Sequence, residues 1–147
     1  MLIVEYTDKY KEQIKKLISD VLAELGSPPA PGDHQDEDLD HILEVYSGRG
    51  RFWVALEENK VVGTIGIKEI DSNTAKLKRM FVKPEYRGTG LAQNLLDTAQ
   101  KFSIEHVYTE IVLWSSHVMK RAHSFYEKNG FMFVEENQWA KFYRKTL

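Results

Sequence analysis

LKRMFVKPEYRGTGLAQNLL, residues 77–96, changes character twice within its length. It opens as the end of a strand-like run, AKLKRMFV at 75–82. Pro84 cannot donate to a sheet ladder and closes that run. Gly88 and Gly90 then turn the chain into Leu91, Ala92, Leu95, Leu96, Ala99 and Phe102, which recur at helical spacing. The next apolar run, EIVLWS at 110–115, reads as a strand. A strand, helix, strand passage requires a crossover to a parallel neighbour, so one parallel pair is expected in the middle of the sheet.

Working outward from that unit, FWVALE (52–57) and VVGTIGIKEI (61–70) precede it, joined by the short connectors ENK and DSNT, and predict an antiparallel meander. Earlier, Tyr10, Ile14, Leu17, Ile18, Val21, Leu22 and Leu25 are spaced by three and four, with Thr7 or Asp8 as N-cap and Gly26 as the stop. Ser27–Asp36, SPPAPGDHQD, holds three of the four prolines and predicts a loop. Leu39, Ile42, Leu43 and Tyr46 form a shorter stripe ending at Gly48. Downstream, VMKRAHSFYEKNG (118–130) predicts a helix closed by Asn129-Gly130, and FMFVEE with WAKFYRK a final pair of strands. The expected order is β-α-α-β-β-β-α-β-α-β-β. It describes one α/β domain over residues 1–147, with a mixed, mostly antiparallel sheet, a parallel central pair and helices on both faces.

The 147 residues include no cysteine, which removes disulfide frameworks, thiolate zinc cages, iron–sulfur clusters and cysteine nucleophiles together. Twenty Lys+Arg against 22 Asp+Glu give a net charge of -2 with both signs interspersed, which argues against nucleic-acid or membrane-surface binding. The N-terminus MLIVEYTDKYKEQ has no signal-peptide core and no apolar run approaches membrane length, so the cytoplasm is the expected compartment. The histidines at 34, 41, 106, 117 and 123 form no metal-ligand pair, and no G-x-S-x-G elbow is present. Trp53, Trp114 and Trp139 fall inside apolar strands, where core packing is the expected role.

The 77–96 junction is also where chemistry is expected. A helix start leaves backbone N–H groups unpaired and carries partial positive charge. Side-chain-free Gly88 and Gly90 let an anion approach closely, and Arg87 adds a fixed charge. Glycine spacing alone fits an ordinary tight turn equally well. Gln93 at the third position excludes G-x-G-x-x-G, and there is no G-x-x-x-x-G-K-[ST].

Arg87-Gly88-Thr89-Gly90-Leu91-Ala92 resembles the acyl-CoA motif Arg/Gln-x-x-Gly-x-Gly/Ala of the GCN5-related N-acetyltransferases. Ala122-His123-Ser124-Phe125-Tyr126-Glu127-Lys128-Asn129-Gly130-Phe131 resembles the family's second signature, and the element order extends the resemblance over nearly the whole chain. The resemblance implies that N–H groups of Gly88, Gly90, Leu91 and Ala92 grip the diphosphate of acetyl-CoA, with Arg87 and Thr89 in the same turn. It implies that the Val82 backbone pairs with the pantetheine arm and that the Met80 N–H faces the thioester carbonyl. Tyr126 would protonate the departing thiolate. This requires EIVLWS to splay from the preceding strand and leave a slot. Met119 stands where many members carry an asparagine that contacts the cofactor.

Some relatives place a glutamate on the strand leading into the turn, where this chain reads Lys76-Leu77-Lys78-Arg79. Glu69 and His117 are the candidate bases by location, ahead of Asp71. The acids Asp33, Asp36, Glu37 and Asp38 and His34 lie where an acceptor normally sits; they would favour a cationic amine, although a solvated helix start accounts for them as well. The expected activity is direct transfer of acetyl from acetyl-CoA to a primary amine of a small molecule, with no metal. A non-catalytic coenzyme A sensor and a protein lysine or N-terminal acetyltransferase are the rival readings. By resemblance, pairing through the C-terminal strands would give a homodimer.

Overall fold

In the computed structural model, which describes residues 1–26 and 37–147, the chain begins with β1 (Leu2–Glu5), a 3-10 turn (Asp8–Tyr10) and α1 (Lys11–Leu25). It continues through α2 (Glu37–Asp40), α3 (Ile42–Val45), β2 (Arg51–Glu57), β3 (Lys60–Glu69) and β4 (Thr74–Val82). A second 3-10 turn (Pro84–Tyr86) leads to α4 (Leu91–Glu105), then β5 (Glu110–Ser116), α5 (Lys120–Lys128), β6 (Met132–Glu136) and β7 (Ala140–Thr146). The Ser27–Asp36 stretch, with Asp33, His34 and Asp36, lies outside the described residues.

All seven strands join one sheet in the order β1-β2-β3-β4-β5-β7-β6. Every pairing is antiparallel except β4 with β5, as the strand, helix, strand passage requires. The alternation of β2 builds two cores. Trp53 and Ala55 face one that is completed by Leu91, Leu95, Leu96 and Ala99 of α4. Phe52, Val54 and Leu56 face the other, filled by Ile14, Leu17, Ile18 and Val21 of α1 with Leu39 and Ile42. Helices therefore cover both faces. No described helix is long and apolar enough to cross a membrane.

Local chemistry moves several boundaries. The expected cap Asp8 instead accepts the Tyr6 hydroxyl at 2.8 Å, and the 3-10 turn delays α1 to Lys11. The second stripe is two short helices, broken at His41 (φ -137°, ψ 46°), and the break turns Leu43 out to solvent while Leu39, Ile42 and Tyr46 stay buried. Trp53 is in the core as expected, but Trp114 is 41% exposed, packed tilted on Phe142 with ring centroids 4.9 Å apart, and Trp139 is half-buried. The physical reason is that Leu113 and Ile111 fill the α4 side of β5, whereas Trp114 points to the other side and joins neither core among the described residues.

Gly66 of β3 shows how the sheet brings α3 toward the later site. A Cβ there would stand 2.8 Å from the Tyr46 ring and 2.9 Å from that of Phe52. Only glycine lets Tyr46 lie against the sheet, within reach of the residues that follow.

Candidate active site

The ladder between β4 and β5 has three rungs, Thr74 to Glu110, Ala75 to Ile111 and Lys76 to Val112. Beyond them β4 runs on to Val82 and β5 to Ser116 without pairing with each other, which is the splay that a slot requires. A bulge in β4 sits inside this parted segment. Gly66 of β3 faces Lys78 and Thr64 faces Phe81, so the β4 span from Lys78 to Phe81 carries one residue more than the β3 span opposite it. Such an insertion bends a strand and takes residues out of the ladder, here Arg79 and Met80. Arg79 has φ 56°, a left-handed backbone that costs a side-chain-bearing residue about 1–2 kcal/mol.

Three side chains hold that conformation. Thr64 Oγ1, fully buried, donates to the Arg79 carbonyl at 2.7 Å. The Arg79 guanidinium forks onto Asp38 of α2, Nε at 3.0 Å and Nη2 at 2.6 Å. The Tyr46 hydroxyl donates to Asp38 Oδ2 at 2.7 Å. Burial alone would push the Asp38 carboxyl up, but the bonds and charge of Arg79 and the Tyr46 hydroxyl outweigh it and leave it below the usual carboxylate range. Burial and the Asp38 carboxylate together push the Tyr46 phenol up. Sequence reasoning missed this network, taking Asp38 for a solvated helix-start acid. The available signal was the slip at Lys78-Arg79, where two adjacent cations break the polar–apolar alternation of Lys76-Leu77-Lys78.

Past the bulge, β4 forms one wall of a cleft of about 530 Å³, with the start of α4, α5 and the Val21 and Leu25 side chains of α1 as the others. Met80, Val82, Arg87, Gly88, Gly90, Ala92 and Tyr126 all line it, so the fold brings together seven of the expected positions. Gly88 (φ 77°) and Gly90 (φ 90°) adopt backbone that L side chains rarely reach, and a Cβ added at either meets no protein atom within 4 Å. The turn keeps that space open. Gly90 is the N-cap of α4 and brings no side-chain cap; the first helical bond is Asn94 N–H to the Gly90 carbonyl at 3.0 Å. The N–H groups of Gly88, Gly90, Leu91 and Ala92 have no backbone partner among the described residues. Bare, converging donors at a helix start fit a diphosphate. Arg87 is at the lip but bound to Glu24 of α1, Nη2 to Oε1 2.8 Å, and Thr89 Oγ1 donates to the Tyr86 carbonyl at 2.5 Å.

Tyr126, 6% exposed, packs on Phe125, Phe131 and Tyr143 while lining the cleft, and burial pushes its phenol up. Its hydroxyl has no hydrogen-bond partner among the described residues. Met119 also lines the cleft, at the N-cap of α5. Of the two candidate bases, Glu69 is not brought to the cleft. It faces Ala75 at the closed end of β4 and pairs with Arg49 at 2.7 Å. His117 lies in the turn before α5, its Nε2 2.6 Å from the Asn137 carbonyl, and the next residues, Val118 and Met119, line the cleft.

The family description "Acetyltransferase (GNAT) domain" matches residues 48–133. The uncharacterized N-acetyltransferase YjgM of Escherichia coli is 32% identical over 127 residues, covering 83% of this chain and 76% of that one. Human N-acetyltransferase 8B is 39% identical over 85 residues, covering 54% of this chain and 37% of that protein, so the chain spans well under half of that relative's length. A crystal structure of a GNAT-family acetyltransferase from Staphylococcus aureus Mu50 superposes with a TM-score of 0.90 at 30% identity, over 99% of this chain and 98% of that one. The parted strands, the bare-amide turn and these matches lead to one place: the chain belongs to the GCN5-related N-acetyltransferase family.

Proposed function

We propose that the chain acetylates a primary amine of a small molecule by direct attack, with acetyl-coenzyme A as donor. The observation that carries this is the parting of β4 from β5 past Lys76 and Val112, together with a cleft lined by Met80, Val82, Gly88, Gly90 and Ala92, where the amides of Gly88, Gly90 and Ala92 have no backbone partner among the described residues. Acetyl-coenzyme A supplies, when bound, the activated acetyl group and a thiol leaving group. A structural neighbour of 22% identity and TM-score 0.77, the PaiA N-acetyltransferase of Thermoplasma acidophilum, was solved in complex with coenzyme A, in keeping with that donor. Names among similar proteins include N-acetylaspartate synthetase and aminoglycoside 6'-N-acetyltransferase, which supports small amines as a class.

In this reading the N–H groups of Gly88, Gly90, Leu91 and Ala92 hold the diphosphate, and Arg87 exchanges Glu24 for phosphate. Val82 offers its backbone to the pantetheine amides as a neighbouring strand would. Met80, outside the β3 register, turns its N–H to the thioester carbonyl oxygen and stabilises the negative charge that builds there. Tyr126 acts at the sulfur. A phenol raised above its ordinary pKa of 10 is a weaker acid than a thiol at about 8.5, so full transfer is uphill and its contribution is a hydrogen bond to the sulfur as charge develops. His117 acts as the base in this reading: with Nε2–H donating to the Asn137 carbonyl, Nδ1 remains to accept the amine's proton, directly or through water. The cytoplasm remains the proposed compartment.

The test is thiol release from acetyl-coenzyme A against a panel of small amines and peptides, with wild type, Tyr126→Phe and His117→Gln. Turnover of small amines, reduced in both variants, is expected. Turnover on peptides alone would replace the acceptor class, and unchanged rates in Tyr126→Phe would remove its role.

A further inference from the structure

Met80 divides β4 between two surroundings. From Met80 onward the strand lines the donor cleft, whereas Lys78 and, across the gap, Trp114 of β5 do not. Each of these two residues stands two positions past the last rung, Lys76–Val112. Both point to the α1 side of the sheet: Lys78 faces Gly66, whose missing Cβ would meet Tyr46 and Phe52 of that core, and Trp114 alternates with Leu113 of the opposite core. They stand on the two strands that border the gap, on the face away from α4.

Among the described residues, lysines gather on this face of β3 and β4. Lys68 faces Lys76 across β3 and β4, and Lys78 follows on the same face. The described carboxylates nearby are engaged: Asp38 by Arg79 and Tyr46, Glu110 by Arg144 at 2.9 Å and by the Thr74 hydroxyl at 2.9 Å. Lys78 is half-buried and forms no ion pair or hydrogen bond among the described residues. Its ammonium is held below its usual pKa first by burial, then by Lys76, Arg79 and Lys68, with Asp38 opposing. A partly desolvated cation is stabilised by an incoming anion, and in such a site the bond is stronger than at an open surface. Trp114, on its Phe142 support, gives the carbon skeleton of a ligand an apolar wall.

We propose that Lys78 binds a carboxylate of the acceptor, so that the amine acetylated here belongs to an amino acid or a similar carboxylate-bearing amine. This rests on the acetyltransferase reading above and narrows its acceptor. It reverses the preference for cationic amines expected from the acidic stretch, of which Asp38 is bound to Arg79.

The experiment pairs each of a set of amino acids with its carboxamide and its decarboxylated amine. Steady-state kcat and KM are measured with wild type, Lys78→Gln and Lys78→Arg, and calorimetry follows acceptor binding to the coenzyme A-loaded protein and acetyl-coenzyme A binding to the free protein. Expected are kcat/KM values at least tenfold higher for the carboxylates than for their amides. Lys78→Gln is expected to raise KM and acceptor Kd by tenfold or more for the carboxylates only, with partial recovery in Lys78→Arg and unchanged acetyl-coenzyme A affinity. Amides or decarboxylated amines used as well as the acids, or an unchanged carboxylate KM in Lys78→Gln, would overturn the proposal and leave the acetyltransferase reading standing. Folded wild type that fails to bind acetyl-coenzyme A would overturn both.

Discussion

The two ends of β4 are built from the same kind of residues and held in opposite ways. At the closed end, Thr74, Ala75 and Lys76 are bonded to β5, and Ala75 and Lys76 also to β3; at the open end, β5 has left and a bulge has loosened β3 as well. What keeps the open end in place is a set of side chains from other elements, Thr64 from β3, Asp38 from α2 and Tyr46 beyond α3. A sheet that opens a slot gives up backbone bonds, and buried side-chain bonds must replace them. The closed end needs no such support, and its own pair, Glu110 with Arg144, is more exposed.

Breaking the support of the open end should therefore have the largest effect. Asp38→Ala removes the forked Asp38 carboxylate from the largely buried Arg79 and is expected to cost about 3 kcal/mol, read from the denaturant midpoint. The pH dependence has a definite sign. The folded Asp38 pKa lies below the ordinary 3.8, so its stabilising contribution is complete above that value and declines as pH falls through the lower folded one. Denaturation at pH 7 and pH 3 should show a smaller acid-induced loss in Asp38→Asn than in wild type.

Next comes the turn to which the open end leads. Gly90→Val places a branched side chain where the backbone has φ 90° and the space is empty. About a hundredfold weaker acetyl-coenzyme A binding is expected by calorimetry, equivalent to about 2.7 kcal/mol, with a folding cost of about 1–2 kcal/mol. Tyr126→Phe should lower kcat by about a hundredfold and leave stability within about 0.5 kcal/mol, because its hydroxyl has no partner among the described residues. Glu110→Gln, at the closed end, sharpens the contrast: about 1 kcal/mol of stability and no change in kcat/KM.

Most of this frame was legible in the residues. The stripe of α1, the meander and the βα unit at 77–96 follow from periodicity and from Pro84, Gly88 and Gly90, because burial on one or two faces imposes those patterns directly. The parting of β4 from β5 was only a requirement, since no residue in either strand states where its ladder ends. The Asp38–Arg79 pair joins residues 41 apart in sequence, and such a contact leaves no local pattern. Glu69 read as a base from its nearness in sequence to the site, but an antiparallel turn sends it to the far end of the strand. Trp114 read as core because its strand is apolar; which side a helix covers is a property of the whole sheet.

Amide hydrogen exchange across β4 and the following turn, with and without coenzyme A, tests the division of the strand most directly. Added coenzyme A is expected to slow exchange at Met80, Val82 and residues 88–92 and to leave Thr74–Lys76, already bonded, unchanged. Protection confined to the closed end, or no protection in folded protein, would contradict the assignment of the open end as the donor site.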